Sequence, residues 1–217
     1  MPGVGTMGSR FLGVMVAAAM AVALAGCGGS SSTSHSGATT SHSADTASGL
    51  AINAYVVKAG EEPGYAAQSP TDYKSTQALQ TGQGGYTATD LKRLAAEGFR
   101  GAAVEQTGSS QGGLSFVFEL VSPAAAKREL AVQVSEDLHL GQSPGVRFKV
   151  AAIPGAVGVA YPNKTGGGGG GNVLFQEGRC MMLVGDIGAT SSFRQPAVAG
   201  ATAIWKRNHA VPGACSA

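Results

Sequence analysis

Hydrophobic residues between positions 50 and 217 fall into short runs and period-two alternations that are typical of β-strands. Between these runs lie stretches in which hydrophobic residues recur every three to four positions, as in amphipathic helices. The pattern predicts strands at residues 51–58, 100–107, 114–121, 146–152, 156–161, 173–176 and 179–184.

Turn signals join two pairs of these strands into hairpins. The sequence GSSQGG separates the second strand from the third, and Glu177-Gly178 separates the last two strands. Residues 60–88 are rich in Gly, Pro, Gln and Thr and predict a long irregular loop.

Start and stop signals predict the first and last of three helices. Thr87 and Asp90 have the spacing of a capping box, and Gly98 is a suitable C-terminal stop. Pro196 opens the last helix, which should continue to about Arg207.

The middle helix begins at Ser122-Pro123, a cap residue followed by Pro at the first helical position. Its apolar face is formed by three residues spaced four apart, Leu130, Val134 and Leu138. Its outward face is expected to carry three charged residues, Lys127, Arg128 and Glu129.

These elements predict an α+β fold, with a mostly antiparallel sheet and about three helices packed on one of its faces. A hairpin followed by a helix opened by Pro occurs in each half, so a duplicated hairpin-plus-helix unit is an alternative interpretation. The fold class does not determine the function.

The first 26 residues have the features of an export signal. Arg10 is followed by the uncharged stretch FLGVMVAAAMAVALA at residues 11–25. This stretch is shorter than the ~20 residues that a membrane span needs, and it fits the hydrophobic core of a signal peptide. Both Met1 and Met7 are suitable start residues, since each leaves these features intact.

The junction Leu24-Ala25-Gly26-Cys27 resembles the lipobox of bacterial lipoprotein precursors. The resemblance covers the first 27 residues and implies cleavage after Gly26 and attachment of diacylglycerol to the Cys27 thiol. Stable membrane attachment takes more than one acyl chain. Diacylglycerol supplies two, so the resemblance implies a membrane anchor. The alternative is an uncleaved signal anchor in which Cys27 occurs by chance.

Residues 28–49 consist almost entirely of Ser, Thr, Gly, Ala and His. Such a stretch buries too little apolar surface to fold, and it predicts a flexible tether with a reach of roughly 25 Å. His35 and His42 lie within it and are expected to be solvated. The chain therefore divides into a signal peptide (1–26), a lipidated Cys with its tether (27–49) and one extracytoplasmic domain (50–217).

The charge balance disfavours nucleic acid as a partner. The chain has 15 basic and 13 acidic residues, and removal of the signal peptide with Arg10 leaves 14 basic residues. A nucleic-acid-binding surface needs clustered Lys and Arg, which the sequence lacks. The partner expected from the anchor is the membrane itself.

Lipidation of Cys27 would leave Cys180 and Cys215 as an even pair in an oxidising compartment, which predicts a disulfide bond between them. The alternative is two free thiols. No C-x-x-C motif is present, so we expect no metal site. The six glycines at residues 166–171 satisfy G-x-G-x-x-G but precede a predicted strand rather than a helix, so we expect no cofactor.

Two segments match G-x-S-x-G and place Ser110 and Ser143 at the nucleophile position, with Asp186 and His209 downstream. Neither serine lies at a predicted strand-to-helix turn, which the nucleophile elbow requires, and Pro144 removes a backbone N–H that an oxyanion hole would use. We therefore assign no catalytic residue.

The loop at residues 60–88 contains three tyrosines, Tyr65, Tyr73 and Tyr86. Tyrosine is common at contact surfaces, so these residues are a candidate partner surface. The alternative is that the rings pack the loop onto the sheet. Glu61-Glu62 in the same loop is expected to be a solvated pair.

These observations favour a membrane-anchored, non-enzymatic binding or accessory domain whose partner is a cell-envelope ligand or another exported protein. The alternatives are a secreted serine hydrolase that uses Ser110 or Ser143, and a structural envelope protein.

Overall fold

The computed structural model describes residues 50–64, 66, 68–107, 113–139, 144–161, 169–188 and 194–216. Cys27, Tyr65, Ser110 and Ser143 lie outside these residues. In chain order the elements are a 3-10 helix (Ile52–Tyr55), β1 (Thr71–Tyr73), α1 (Thr76–Gln83), α2 (Ala88–Ala96), β2 (Gly101–Thr107), β3 (Gly113–Glu119), α3 (Pro123–Asp137), β4 (Val146–Lys149), β5 (Val157–Tyr161), β6 (Gly169–Glu177), β7 (Cys180–Gly188) and α4 (Arg194–Asn208).

The described strands form one antiparallel sheet in the order β1-β2-β3-β7-β6-β5-β4. Its centre is the pairing of β3 with β7, where Phe118 lies opposite Met181. The predicted α+β class with a mostly antiparallel sheet is confirmed. Both predicted hairpins are present as β2–β3 and β6–β7.

Helices cover both faces of the sheet, which corrects the prediction that they share one face. Val173 and Phe175 of β6 pack in a core with α4 and the 3-10 helix. Leu174, which points the other way, packs in a second core with residues of α1, α2 and α3. Because the central strands are apolar at successive positions, both of their faces must be covered.

The hairpin-plus-helix connectivity occurs twice, as β2–β3–α3 and β6–β7–α4. However, α3 and α4 lie on opposite faces of the sheet. If the two units were related by rotation about an axis perpendicular to the sheet, α3 and α4 would lie on the same face. The two units are therefore not related by such a rotation.

The N-terminal part of the domain departs from the predicted elements. Residues 51–58 form a 3-10 helix followed by extended chain, and the edge strand β1 and helix α1 lie within the predicted irregular loop. Arg207 binds the carbonyls of Ala54 and Val56 at 2.9 and 2.7 Å. These carbonyls are therefore bonded to a side chain instead of to a neighbouring strand.

The predicted helix starts are confirmed for α2 and α3. Thr87 and Asp90 form a reciprocal capping box, and the side chain of Ser122 accepts a hydrogen bond from the backbone of Ala125. Gly98 follows α2 with a φ of 68°, a conformation that favours glycine. Glu129 is 1% exposed and does not face solvent as predicted, because Arg93 of α2 binds it.

The predicted disulfide joins Cys180 at the start of β7 to Cys215 near the C-terminus, with the Cα atoms 5.0 Å apart. Both residues are buried in the core beneath α4. Arg179 beside it binds the carbonyl of Ala214 at 2.8 Å. The two cysteines are 35 residues apart in the sequence. Closing a loop of this size should stabilise the fold by about 3–4 kcal/mol in the chain-entropy model.

Across the part of the chain that the structure describes, no helix has the length and apolarity needed to cross a membrane.

Candidate functional site: a buried carboxylate in a surface pocket

The candidate site is a pocket of about 330 Å³ between β2, the chain that follows the 3-10 helix and the segment that precedes β1. We call it the Glu105 pocket, after the carboxylate on β2 that lines it. Its described lining residues are Asn53, Val56, Val57, Lys58, Ala59, Gln68, Ser69, Pro70 and Glu105.

Contacts to neighbouring elements hold one wall of the pocket in place. The backbone N–H of Val57 donates to the side-chain oxygen of Ser115 at 3.1 Å, and Ser115 lies opposite Glu105 in the β2–β3 pairing. From the other side, Arg207 and Asn208 at the end of α4 donate to the carbonyl of Ala54 at 2.9 and 2.8 Å. The pocket wall is thus tied to both the sheet and α4.

The opposite wall follows the edge of β2. The backbone N–H of Gln68 donates to the carbonyl of Gln106 at 3.2 Å, which keeps residues 68–70 beside the strand. Pro70 cannot donate a backbone hydrogen bond, and it lies directly before β1 where the pairing with β2 begins. The rigid sheet and two bonded segments therefore form a preformed pocket.

Glu105 is fully buried, and no side chain or cation among the described residues binds either of its carboxylate oxygens. Burial raises the pKa of Glu105 to about 7, and hydrogen bonding from the backbone of Gln68 offsets this increase in part. A buried carboxylate without partners is costly because its charged form has lost the solvation of water. Such a group is a candidate for binding a ligand.

Charged groups of both signs lie around the mouth of the pocket. Lys58 lines it, and Asn53 donates to Asp72 of β1 at 3.5 Å. Glu61 binds the backbone N–H of Lys58 at 2.7 Å and forms an ion pair with Arg207. Glu61 therefore serves to fix the pocket wall.

The prediction that Glu61-Glu62 is a solvated pair is wrong. Glu62 is 2% exposed, and Glu61 is engaged by Arg207 of α4. The sequence could not show this contact because the two partners are 146 residues apart.

A second polar cluster lies between α2 and α3. Arg93 binds Glu129 through two bonds of 3.1 and 3.2 Å, and it also contacts Asp90 at 3.2 Å and Glu136 at 3.1 Å. Gln133 donates to Glu129 at 3.1 Å. The guanidinium of Arg93 thus binds three carboxylates. Because every residue of the cluster has a hydrogen-bond partner, we interpret the cluster as a structural link between α2 and α3.

A third polar group lies where α3 ends over β6. The side-chain N–H of Asn172 donates to Asp137 at 2.6 Å. Burial raises the pKa of Asp137 to about 7, although the bond from Asn172 lowers it, and Glu136 adds to the increase. Because no pocket described here opens onto Asp137, we assign it no ligand.

A shallow groove runs along α4 beside the edge strand β4. Its wall includes Phe148, Val198 and Ala199, and the guanidinium of Arg194 lies 5.0 Å from the centre of the Phe148 ring. The groove is open to solvent and contains no buried polar group, so it has fewer features of a specific site than the Glu105 pocket.

The predicted tyrosine surface is wrong for Tyr73, and Tyr86 is only partly exposed. Tyr73 is 8% exposed, packs against Gly82 and accepts a hydrogen bond from Gln83 at 2.8 Å. Tyr86 is packed against the same core, and burial raises its pKa, with Glu129 and Asp90 contributing. These rings attach the loop to the sheet, and Tyr65 lies outside the described residues.

The serine-hydrolase prediction stays untested, because Ser110, Ser143 and the side chain of Asp186 lie outside the described part of the molecule. His209 is stacked on Trp205, with ring centroids 3.9 Å apart, and its Nδ1 lies 3.5 Å from Glu177. Within the described residues, no group of three His, Cys, Asp or Glu side chains is arranged to hold a metal ion.

Sequence reasoning missed Glu105 as a site residue. The available signal was a single acidic residue inside the otherwise uncharged stretch GAAVEQT of the strand predicted at residues 100–107. A charge at that position is solvated on an edge strand and buried on a central one, and the loop that covers Glu105 could not be placed from the sequence.

No protein-family model matches the sequence, and no curated protein sequence matches it. Among solved structures, the chain is similar to the extracellular domain of PknH from Mycobacterium tuberculosis. The identity is 10%, the TM-score is 0.44, and the match covers 65% of this chain and 85% of the other. A likeness at this level carries no conclusion about function.

Proposed function

We propose that this chain is a membrane-anchored extracytoplasmic lipoprotein whose folded domain binds a small ligand in the Glu105 pocket without catalysing a reaction. The observation that carries the binding proposal is Glu105 itself, a fully buried residue in the wall of a pocket whose carboxylate has no side-chain or cationic partner among the described residues.

The composition of the pocket supports binding. Ligand sites are typically concave and mainly apolar, with a few polar groups that orient the ligand. Here Val56, Val57, Ala59 and Pro70 supply apolar surface, and Glu105 supplies a buried charge. Retaining a carboxylate without a protein partner costs stability, and a ligand that binds it would offset that cost.

Three features support the location. The lipobox-like junction at Cys27 gives an attachment point, and residues 28–49 have the composition of a flexible spacer. The disulfide between Cys180 and Cys215 fits an oxidising compartment outside the cytoplasm.

Replacement of Cys27 by Ser should abolish lipid attachment, because the hydroxyl of Ser cannot form the thioether bond to diacylglycerol. We expect the unchanged protein in the membrane fraction, with a mass increase on Cys27 after removal of residues 1–26. Fractionation and mass spectrometry measure both results. Gly28→Ala is the matched control and should stay membrane-bound. An unmodified Cys27 thiol on the mature protein would refute the anchor.

Binding at the pocket is tested with the mature lipidated protein in a non-ionic detergent. A library of small neutral, anionic and cationic compounds is screened for stabilisation against thermal unfolding. We expect some compounds to stabilise the protein and to lose this effect in Glu105→Gln. The effect should persist in Asp137→Asn, which changes another buried carboxyl outside the pocket. Stabilisation that is the same in both variants would place binding elsewhere.

A further inference from the structure

We infer that the ligand of the Glu105 pocket is a small molecule carrying a primary ammonium group, which donates its N–H bonds to the two carboxylate oxygens of Glu105. This inference rests on the proposed binding function of the pocket and names the class of its ligand.

The first argument is the chemistry of the unpartnered group. An ionised carboxylate can only accept hydrogen bonds, and it binds most strongly to donors that carry a positive charge. No side chain among the described residues donates to either oxygen of Glu105, although the side chain is fully buried. A ligand ammonium supplies several N–H donors and the compensating charge together.

The second argument is that no described cation of the protein fills this role. Lys58 lines the pocket but forms no ion pair with Glu105. Arg207, the other cation near the wall, is held by Glu61 and by the carbonyls of Ala54 and Val56. The charge of Glu105 is therefore available to a ligand.

The remaining ligand classes fit less well. An anion would be repelled by Glu105 once the carboxyl is ionised. A divalent metal ion needs several oxygen ligands, and the described residues contain no group of three suitable side chains. A pocket of about 330 Å³ lies at the small end of ligand sites, which favours a compact amine over an extended one.

The protonation state of Glu105 should control this binding. Burial raises the pKa of Glu105 to about 7, so the carboxyl becomes neutral in mildly acidic solution and then no longer attracts a cation. The other charged groups around the pocket are Lys58, Asp72 and the Glu61–Arg207 ion pair. The net result is binding that weakens as the pH falls below 7.

The test is a nuclear magnetic resonance titration of the mature lipidated protein with n-propylammonium, n-propyltrimethylammonium and butyrate. We expect n-propylammonium to shift the backbone amide signals of Val57 and Gln68. The trimethyl compound, which has the charge but no N–H, should bind at least tenfold more weakly. The apparent affinity for n-propylammonium should fall about 30-fold between pH 8 and pH 5.5.

Two variants make the outcome decisive. Glu105→Gln should weaken n-propylammonium binding at least tenfold, and Asp137→Asn should leave it unchanged. If butyrate, or a neutral compound from the thermal-unfolding library, binds in a Glu105-dependent way and n-propylammonium does not, the ammonium inference fails while the proposed function stands. If no compound of any class shifts the signals of the pocket, both fail.

Discussion

Replacement of Arg93 by Met should lower the free energy of unfolding by about 3–5 kcal/mol at pH 7, because it leaves buried carboxylates without their cation. Met matches the unbranched stem of Arg as far as Nε, so the change removes the charge and the hydrogen bonds and retains the packing of the stem. Urea unfolding followed by circular dichroism measures the difference. The expected loss is a large fraction of the stability of an ordinary domain.

The structural reason lies in the exposure of the groups involved. The side chain of Glu129 is 0% exposed, and Arg93 binds it through two parallel hydrogen bonds. Without Arg93, Glu129 would face Asp90 and Glu136 with no described cation between them. Burial already raises the pKa of Glu136 despite the neighbouring Arg93, so the loss should shrink at low pH as the carboxyls take up protons.

The matched control is Arg128 of α3, which forms a second ion pair between the same two helices. Arg128 binds Glu97 of the α2 end at 2.6 Å, but its side chain is 60% exposed, so Arg128→Met should change stability little. Adding Glu129→Gln to Arg93→Met should recover part of the loss, because the buried charge is then removed. Equal effects of Arg93→Met and Arg128→Met would show that the Arg93 cluster does not link the helices.

The cluster also shows where sequence reasoning reached its limit. The start of α2 was predictable because a capping box is a local signal, formed by residues three apart. The burial of Glu129 was not, because its partner is 36 residues away and on another helix. The sequence pattern predicted that Glu129 lies on the outward face together with Lys127 and Arg128, and those two residues are exposed.

The same distinction explains the N-terminal errors. The sequence at residues 51–58 is rich in strand formers, yet the carbonyls of Ala54 and Val56 are taken by Arg207 from the far end of the chain. Strand β1 has three residues, too few for a recognisable alternation, and α1 has Leu79 as its one buried residue. Hairpins with long apolar strands and clear turns were predictable because their signals are local.

Identification of the candidate site depends both on local sequence signals and on contacts between residues that are distant in the sequence. The sequence places Glu105 on a strand, and only the fold shows that Val57 and Gln68 cover that strand edge. Conversely, Tyr73, one of the three tyrosines chosen from loop composition, is buried in the core.

Removal of the charges of Glu105 and Asp137 by mutation should make the domain more stable at high pH. Glu105 and Asp137 both have pKa values raised by burial to about 7, above the ordinary values of 4.5 and 3.8. Between about pH 4 and pH 7 the unfolded chain releases these protons while the folded chain retains them. Stability contributed by the protonated carboxyls is therefore full below pH 4 and is lost as the pH rises through 7.

The variants Glu105→Gln and Asp137→Asn isolate this effect, because each keeps the shape of the side chain and removes its charge. Each should raise the free energy of unfolding by about 3–4 kcal/mol at pH 8, in the absence of ligand, and by about 1–2 kcal/mol at pH 5. Urea unfolding at intervals between pH 4 and pH 9, with the disulfide intact, gives the curves. Subtraction of the unchanged protein removes the contributions of all other groups.

The two carboxyls should differ in one respect that connects stability with binding. Asp137 has the side chain of Asn172 as a partner, whereas Glu105 has no side-chain partner among the described residues, so a ligand should act on Glu105 and not on Asp137. At pH 8, n-propylammonium should therefore reduce the stability gain of Glu105→Gln by stabilising the unchanged protein, and leave the gain of Asp137→Asn intact. If the curve for Glu105→Gln runs parallel to that of the unchanged protein from pH 4 to pH 9, Glu105 is not a buried acid, and the pocket loses the charge on which its proposed ligand depends.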